Sequence, residues 1–210
     1  IAIKHSNEAF LKLKIKIKEK IVADGLNLND YDLDVHGKHV NAKEFNELLE
    51  DKNTITIDMR NHYESEVGHF KGANLPDVDT FRESLPLIKN KYESYKKNRK
   101  ILMYCTGGIR CEKASAYLLN NGFKNVYQLN GGIIEYARQV KENKIENKFI
   151  GKNFVFDNRL GERISNDIIS NCHQCGEKCD EHTNCNNDAC HLLFIQCENC
   201  KKKYDGCCSK

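Results

Sequence analysis

The sequence predicts an α/β protein in which a parallel sheet is covered by helices on both faces. Between residues 40 and 141, short strand-forming segments alternate with helix-forming segments. One of these strands is followed directly by a glycine-containing loop and then by a helix. Alternation at this short spacing is typical of a parallel sheet between two helical layers, where functional residues lie at the carboxyl ends of the strands.

The elements of this unit follow in order along the chain. Asn41 can cap a helix with Glu44 at its third position, and we expect this helix to end near Leu49. β-Branched and apolar runs predict strands at residues 54–57, 100–104 and 126–129. Apolar residues at helical spacing predict helices at about residues 112–121 and 133–141, with Gly122 ending the first of them.

The flanking segments differ from this unit in composition. Residues 11–18 alternate apolar residues with lysine, which predicts a half-buried strand whose lysine face is either a solvated sheet surface or an RNA-contacting surface. Because the chain begins with Ile1, we expect it to be part of a longer protein and to open with the end of a small α+β domain. Residues 141–153, rich in lysine, glutamate and asparagine, predict a linker, and residues 154–156 predict one more strand. The predicted domain bounds are 1–38, 39–142, 143–171 and 172–210.

Composition narrows the classes of function. The formal net charge of +3 argues neither for nor against nucleic-acid binding. No run approaches the roughly 18 apolar residues of a transmembrane helix, so we expect no membrane partner. Nine of the eleven cysteines lie in residues 172–210, and CxxC pairs occur among them. This pattern favours metal binding over a disulfide framework and predicts a cytoplasmic location.

The strongest candidate for chemistry is Cys105, which follows the predicted strand at 100–104. The loop after it consists of Thr106, Gly107, Gly108, Ile109 and Arg110. The glycines allow a tight turn, amides at the start of the next helix can point at the sulfur, and Arg110 adds a positive charge. Such surroundings lower the pKa of a cysteine from about 8.5 to roughly 3.5–7.5, so we expect a thiolate nucleophile at neutral pH.

The length of this loop distinguishes two chemistries. Four residues separate Cys105 from Arg110, whereas cysteine phosphatases have five, so the tighter ring favours a persulfide over a phosphate group. Asp58 and Arg60, at the end of the first strand, are expected to form a hydrogen-bonded pair that braces the loop. Cys111 is either a resolving thiol or a packing residue.

The cysteine-rich tail predicts a metal site. Two CxxC pairs at zinc-ribbon spacing supply four thiolates for one structural zinc: Cys172, Cys175, Cys197 and Cys200. A second zinc would have to use ligands that the spacing does not assign, from a set comprising Cys179, Cys185, Cys190, Cys207, Cys208, His173, His182 and His191. The alternative is a set of free or disulfide-bonded cysteines without a metal.

Several segments resemble the rhodanese family. They are residues 55–60 with Glu64, residues 68–76, the loop that begins at Cys105, and residues 126–133 with their Gly131-Gly132 pair. A narrower resemblance, to the rhodanese-type tRNA uridine hydroxylases, is carried by Gly37-Lys38, by residues 80–83, 104–118 and 154–159, and by the cysteine-rich tail.

The narrower resemblance implies both a fold and an activity. The fold is a rhodanese-like domain preceded by a ferredoxin-like domain, of which residues 1–38 are the truncated end. The activity is oxygen-dependent formation of 5-hydroxyuridine at the wobble uridine (U34) of tRNA, with Cys105 as the persulfide-type catalytic residue. We recognise no organic cofactor motif and no assignable set of two histidines and one carboxylate.

Two other functions compete with this one. A persulfide sulfurtransferase would move sulfur from a donor such as thiosulfate to a thiol or RNA acceptor. A zinc-bearing adaptor would keep the rhodanese domain for binding only. The intact Cys105 and Arg110 argue against the adaptor, since binding alone requires neither residue.

Overall fold

The main sheet has four parallel strands. The computed structural model describes residues 15–18, 20, 22–26, 32 and 34–209. Numbered in chain order, the strands are β1 (Lys38–Val40), β2 (Thr54–Asp58), β4 (Lys100–Tyr104) and β5 (Val126–Leu129). They lie in the order β1, β5, β4, β2, and every neighbouring pair is parallel. The strands predicted at 100–104 and 126–129 are confirmed, and the strand predicted at 54–57 extends one residue further, to Asp58.

Helices cover both faces of this sheet, which confirms the predicted fold class. One face carries α1 (Ala42–Glu50) and α5 (Gly132–Asn143), whose apolar side chains pack with Leu102 and Tyr104. The other face carries α3 (Phe81–Tyr92) and α4 (Ile109–Asn120), which pack with Ile101 and Met103. Alternate side chains of β4 therefore serve two separate cores. A short helix, α2 (His62–Ser65), follows β2.

Local signals explain where two of the helices begin. Asn41 accepts from the amide of Glu44, and the Glu44 side chain accepts from the amide of Asn41, so the predicted capping box is confirmed. Helix α4 begins three residues before the predicted start. Gly108, at φ +95°, turns the chain directly from the loop into the helix, which leaves no extended residues between them.

A second sheet corrects the linker predicted at 141–153. Its strands are antiparallel, with β6 (Phe149–Asn153) between β3 (Gly68–Phe70) and β7 (Glu162–Arg163). Buried and partly exposed residues alternate along β6, with Phe149 and Asn153 buried. The alternation typical of a strand is thus present within residues 141–153, although the polar composition of this segment predicts a linker.

The strand predicted at 154–156 is wrong. These residues leave the second sheet: Phe154 is buried, whereas Phe156 is 62% exposed. Phe154 and Val67 pack with Cys172, Ile195 and other apolar residues in a third core. This core joins the cysteine-rich tail to the rest of the protein.

The tail contains a hairpin and a short helix. Strands β8 (His182–Asn184) and β9 (Leu193–Ile195) are antiparallel, and α6 (Glu198–Lys203) follows them. Among the helices that the structure describes, none is long and apolar enough to span a bilayer.

The predicted strand at 11–18 lies only partly within the described residues, since 11–14 fall outside them. Residues 15–18 lie outside any strand, and Ile15 and Ile17 are 84% and 102% exposed, so the half-burial expected of them is wrong. A half-buried strand needs a neighbour, and none of the described strands pairs with this segment. The α+β domain expected at 1–38 stays a prediction.

Candidate active site

Cys105 lies at the carboxyl end of β4, where the chain turns into α4. Its thiol is only 1% exposed, and the amide of Gly108 donates a hydrogen bond to Sγ over 3.1 Å. The loop therefore directs backbone N–H groups toward the sulfur, as the residues from Thr106 to Arg110 predict. A buried sulfur that accepts such hydrogen bonds is stabilised as an anion.

Cys111, in the first turn of α4, has the largest effect of any side chain on the pKa of Cys105. Its thiol donates a hydrogen bond to Cys105. Together with the charge of Arg110 and the amides of Cys111 and Gly108, this hydrogen bond lowers the pKa of Cys105 to about 6, although burial acts in the opposite direction. Burial and the neighbouring Cys105 hold the pKa of Cys111 well above its ordinary value. Cys111 is thus a neutral hydrogen-bond donor, a role beyond the two that the sequence offered.

Arg110 forms a bidentate ion pair with Glu64. Its Nη1 and Nη2 atoms donate to the two carboxylate oxygens over 2.5 and 2.8 Å, and Glu64 is fully buried. Thr106 Oγ1 donates to Glu64 and accepts from Arg110, so the three side chains form one hydrogen-bonded set. Sequence reasoning did not place Glu64 in the site, although it stands in a segment that resembles the rhodanese family.

The N-terminus of α5 fixes the backbone of the loop. The amides of Ile133 and Ile134 donate to the carbonyl oxygens of Cys105 and Thr106 over 3.0 and 3.2 Å. Gly132 has a φ of +65°, and a Cβ at this position would lie 2.5 Å from the Cys105 carbonyl oxygen. The helix can approach the loop this closely only because residue 132 is glycine.

Asp58 and Arg60 form the predicted pair, but its contacts differ from those expected. Arg60 Nε and Nη2 donate to Asp58 over 2.9 and 2.6 Å, and both side chains are buried. Arg60 also donates to the carbonyl oxygens of Gly68 and Glu64, over 2.6 and 3.4 Å. The hydrogen bonds of the pair therefore brace the segment that carries Glu64, and Glu64 in turn pairs with Arg110 in the Cys105 loop.

A cavity of about 500 Å³ is lined in part by Cys105, Arg110 and Phe156. The exposed ring of Phe156 has its centroid 6.0 Å from Cζ of Arg110. The buried ring of Phe154 packs edge-on against Phe156, with the ring centroids 5.2 Å apart. The cavity therefore combines a stabilised thiolate, a guanidinium group and an anchored aromatic face.

Comparisons with known proteins agree with this arrangement. The rhodanese-like domain family matches residues 41–139, and the rhodanase C-terminal family matches residues 150–210. Proteins named tRNA uridine(34) hydroxylase from Leptospira interrogans and Yersinia pestis are 58% and 55% identical over 100% of this chain. This chain is similar along its whole length to the tRNA uridine(34) hydroxylases.

Two further results describe the extent of these similarities. The chain spans 57% and 59% of the length of the two relatives. Among solved structures, a rhodanese-like domain protein from Staphylococcus aureus is 28% identical and covers 47% of this chain and 90% of its own, with a TM-score of 0.38.

The cysteine-rich tail gathers seven of its cysteines into two groups. The sulfur atoms of the four predicted ligands, Cys172, Cys175, Cys197 and Cys200, lie within 4.8 Å of one another. The sulfur atoms of Cys185, Cys190 and Cys208 form a second group within the same distance. All eleven cysteines are free, so each group has the chemistry to hold a metal ion.

The structure also gathers a group that the sequence did not reveal, formed by His36, His39 and Glu112. His39 Nε2 lies 2.5 Å from one carboxylate oxygen of Glu112, and Gln128 Nε2 donates to the other over 3.0 Å. These contacts occupy both carboxylate oxygens with protein partners. The group ties the first turn of α4 to β1 and β5.

Proposed function

We propose that this protein hydroxylates the wobble uridine (U34) of tRNA to 5-hydroxyuridine, in an oxygen-dependent reaction at Cys105. The observation that carries the proposal is 58% identity, along the whole chain, to a protein named tRNA uridine(34) hydroxylase. The matched region covers the whole chain and therefore includes the cavity and the cysteine-rich tail as well as the rhodanese-like domain.

The cavity supports a nucleobase as the substrate. Proteins that read single-stranded RNA splay out bases and stack them on aromatic side chains. Phe156 offers such a surface, because its ring is exposed at the cavity while Phe154 holds it from behind. A volume of about 500 Å³ also falls within the usual range of ligand pockets. We infer that the uracil ring stacks on Phe156 with its reacting edge toward Cys105.

Each remaining residue of the site has a role in this proposal. Cys105 is the catalytic residue, as a thiolate or as a persulfide formed on it. Arg110 stabilises its charge, and Cys111 supplies the neutral hydrogen bond. The backbone of Thr106, Gly107, Gly108 and Ile109 surrounds the sulfur. Glu64 positions Arg110, and the Asp58–Arg60 pair positions Glu64.

The second candidate function is a persulfide sulfurtransferase acting from a sulfur donor to a thiol or RNA acceptor. The short ring from Cys105 to Arg110 favours it, since a ring of this size suits one terminal sulfur. A non-catalytic adaptor is less consistent with the site, because binding alone does not require a cysteine with a pKa of about 6.

Mass spectrometry of digested tRNA separates these functions. Cells that lack the full-length protein should lose 5-hydroxyuridine and its derivatives, and wild type but not Cys105→Ser should restore them. Loss of thiolated nucleosides with normal hydroxylation would replace the hydroxylase with the sulfurtransferase. If neither class changes, and no redundant pathway exists, both enzymatic proposals for tRNA fail.

We further propose that Cys172, Cys175, Cys197 and Cys200 bind one structural zinc ion. Four cysteines in a compact group are typical of closed, tetrahedral zinc sites. A chain with eleven free cysteines also fits a reducing compartment, which supports a cytoplasmic location.

A further inference from the structure

We propose that Cys185, Cys190, Cys207 and Cys208 form a second zinc site, separate from the first but tied to it through two glutamines. The sulfur atoms of three of these residues already lie within 4.8 Å of one another. Cys207 directly precedes Cys208, and its carbonyl oxygen accepts from Gln174 and Gln196 in the same turn. We assign Cys207 as the fourth ligand because of this adjacency. This proposal is independent of the reaction at Cys105.

The distances between sulfur atoms match those of metal ligands. A tetrahedral zinc with bonds of about 2.3 Å places its sulfur ligands about 3.8 Å apart. Cys190 Sγ and Cys208 Sγ are 3.7 Å apart, and Cys175 Sγ and Cys197 Sγ in the first group are 3.6 Å apart. A disulfide would require about 2.05 Å. Both groups therefore have the spacing of a thiolate metal site.

The backbone around the second group supports thiolates in the same way as that around the first. The amide of Cys208 donates to Cys185 Sγ over 3.5 Å, and the amide of Cys197 donates to Cys172 Sγ over 3.3 Å. Such hydrogen bonds favour the ionised sulfur that zinc requires. The loop that carries Cys185 is also joined to the final turn, because the amide of Asn186 donates to the Gly206 carbonyl oxygen.

The hairpin keeps the two sites apart. Cys185 directly follows β8, whereas Cys197 lies two residues after β9, at the other end of the antiparallel pair. Three strand residues span about 10 Å, so the groups cannot share one ion. The tail therefore has the geometry of two separate single-metal sites.

Two glutamines connect these sites. Gln174 stands between the cysteines of the first CxxC pair, and its Nε2 donates to the carbonyl oxygens of Cys207 and Cys208 over 3.0 and 3.1 Å. Gln196, buried beside the second CxxC pair, donates to the Cys207 carbonyl oxygen over 3.2 Å and to Gln174 Oε1 over 2.8 Å. A metal that orders the first site therefore also orders the turn that supplies ligands to the second.

Metal stoichiometry tests the second site. The whole chain, purified anaerobically and freed of metal, should bind two equivalents of Co²⁺ with the absorption bands of tetrahedral thiolate coordination, and as isolated it should contain two zinc ions. Cys190→Ser should bind one equivalent. Cys179→Ser is the matched control, since Cys179 is buried in the tail but belongs to neither group, and it should bind two. A single equivalent in the wild type, or two in Cys190→Ser, would overturn the proposal.

Two further variants test the fourth ligand and the coupling. Cys207→Ser should weaken Co²⁺ binding at the second site, whereas His191→Ala should not; the reverse result would reject Cys207 as the ligand. Gln174→Leu should weaken the second site by about 10-fold, at the low end of the losses seen when groups that support metal ligands are removed. Unchanged release of this metal to a chelator would refute the coupling through Gln174.

Discussion

Replacing Cys111 with alanine should raise the pKa of Cys105, because the hydrogen bond from the Cys111 thiol is the largest influence on it. A hydrogen bond to a charged group contributes about 1.5–3 kcal/mol. Since one pKa unit corresponds to about 1.4 kcal/mol, losing this donor should move the pKa from about 6 to roughly 7–8. Cys111→Ser is the matched control, because a hydroxyl keeps a donor of similar size.

The assay is the rate of Cys105 alkylation as a function of pH, followed on its own peptide by mass spectrometry so that the tail cysteines do not contribute. At pH 7 a pKa of about 6 leaves about 90% thiolate, and a pKa of roughly 7–8 leaves about 10–50%. The variant should therefore react roughly two- to ten-fold more slowly at this pH. An inflection that stays near 6 in Cys111→Ala would refute the reasoning.

The same pKa shift makes stability depend on pH. The pKa of Cys105 is lower in the folded protein, at about 6, than the value of about 8.5 of a free cysteine. The thiolate therefore contributes stability that is fully present above about pH 8.5 and is lost as the pH falls through about 6. Urea unfolding of the wild type, compared with Cys105→Ser, should show a stability difference that grows between these two values.

Three other substitutions test the supporting structure. Gly132→Ala should destabilise the protein by roughly 1–3 kcal/mol in urea unfolding, because residue 132 has a positive φ and its Cβ would contact the Cys105 carbonyl oxygen. Gly107→Ala is the control and should cost less, since a Cβ there meets nothing within 4 Å. Equal losses of stability in the two variants would contradict this account. Arg110→Met should lower the free energy of unfolding by about 3–5 kcal/mol, since it leaves the buried Glu64 carboxylate without its ion-pair partner. If the lost ion pair is the cause, adding Glu64→Gln to this variant should recover part of that stability. Phe156→Ala should weaken tRNA binding to the full-length protein by about 1–3 kcal/mol, because the aromatic surface for a stacked base is lost. The rate of Cys105 alkylation should stay unchanged, and Phe156→Tyr should bind tRNA normally. Undiminished binding by Phe156→Ala would exclude base stacking on this residue.

The main sheet could be predicted because its signals are local. The apolar runs of β4 and β5 are buried on both faces, so their composition alone marks them as strands. The side chains of Asn41 and Glu44 accept hydrogen bonds from each other's backbone amides within one helical turn. The loop after Cys105 was likewise readable, because its glycines, arginine and following helix are contiguous.

The second sheet and most of the site's supporting contacts depend on residues that are far apart in sequence. Strand β6 lies at the end of a segment of polar composition, and it becomes a strand by pairing with β7 and with β3, the latter about 80 residues earlier. Glu64 meets Arg110 across 46 positions, and the sulfurs of Cys190 and Cys208 meet across 18. No local pattern encodes such pairs, whereas the CxxC spacing of the first metal group does encode proximity.

The balance of charge in the site bears on which substrate it can accept. The positive charge of Arg110 is matched by its ion pair with Glu64, and Asp58 and Arg60 compensate each other in the same way. With Cys105 ionised, these five side chains carry one net negative charge inside a largely buried site. A dianion such as thiosulfate would meet this charge at close range, whereas a neutral uracil ring would not. This charge balance supports the proposed neutral nucleobase next to Cys105 over the thiosulfate of the second candidate function, on grounds that are separate from the similarity to the hydroxylases.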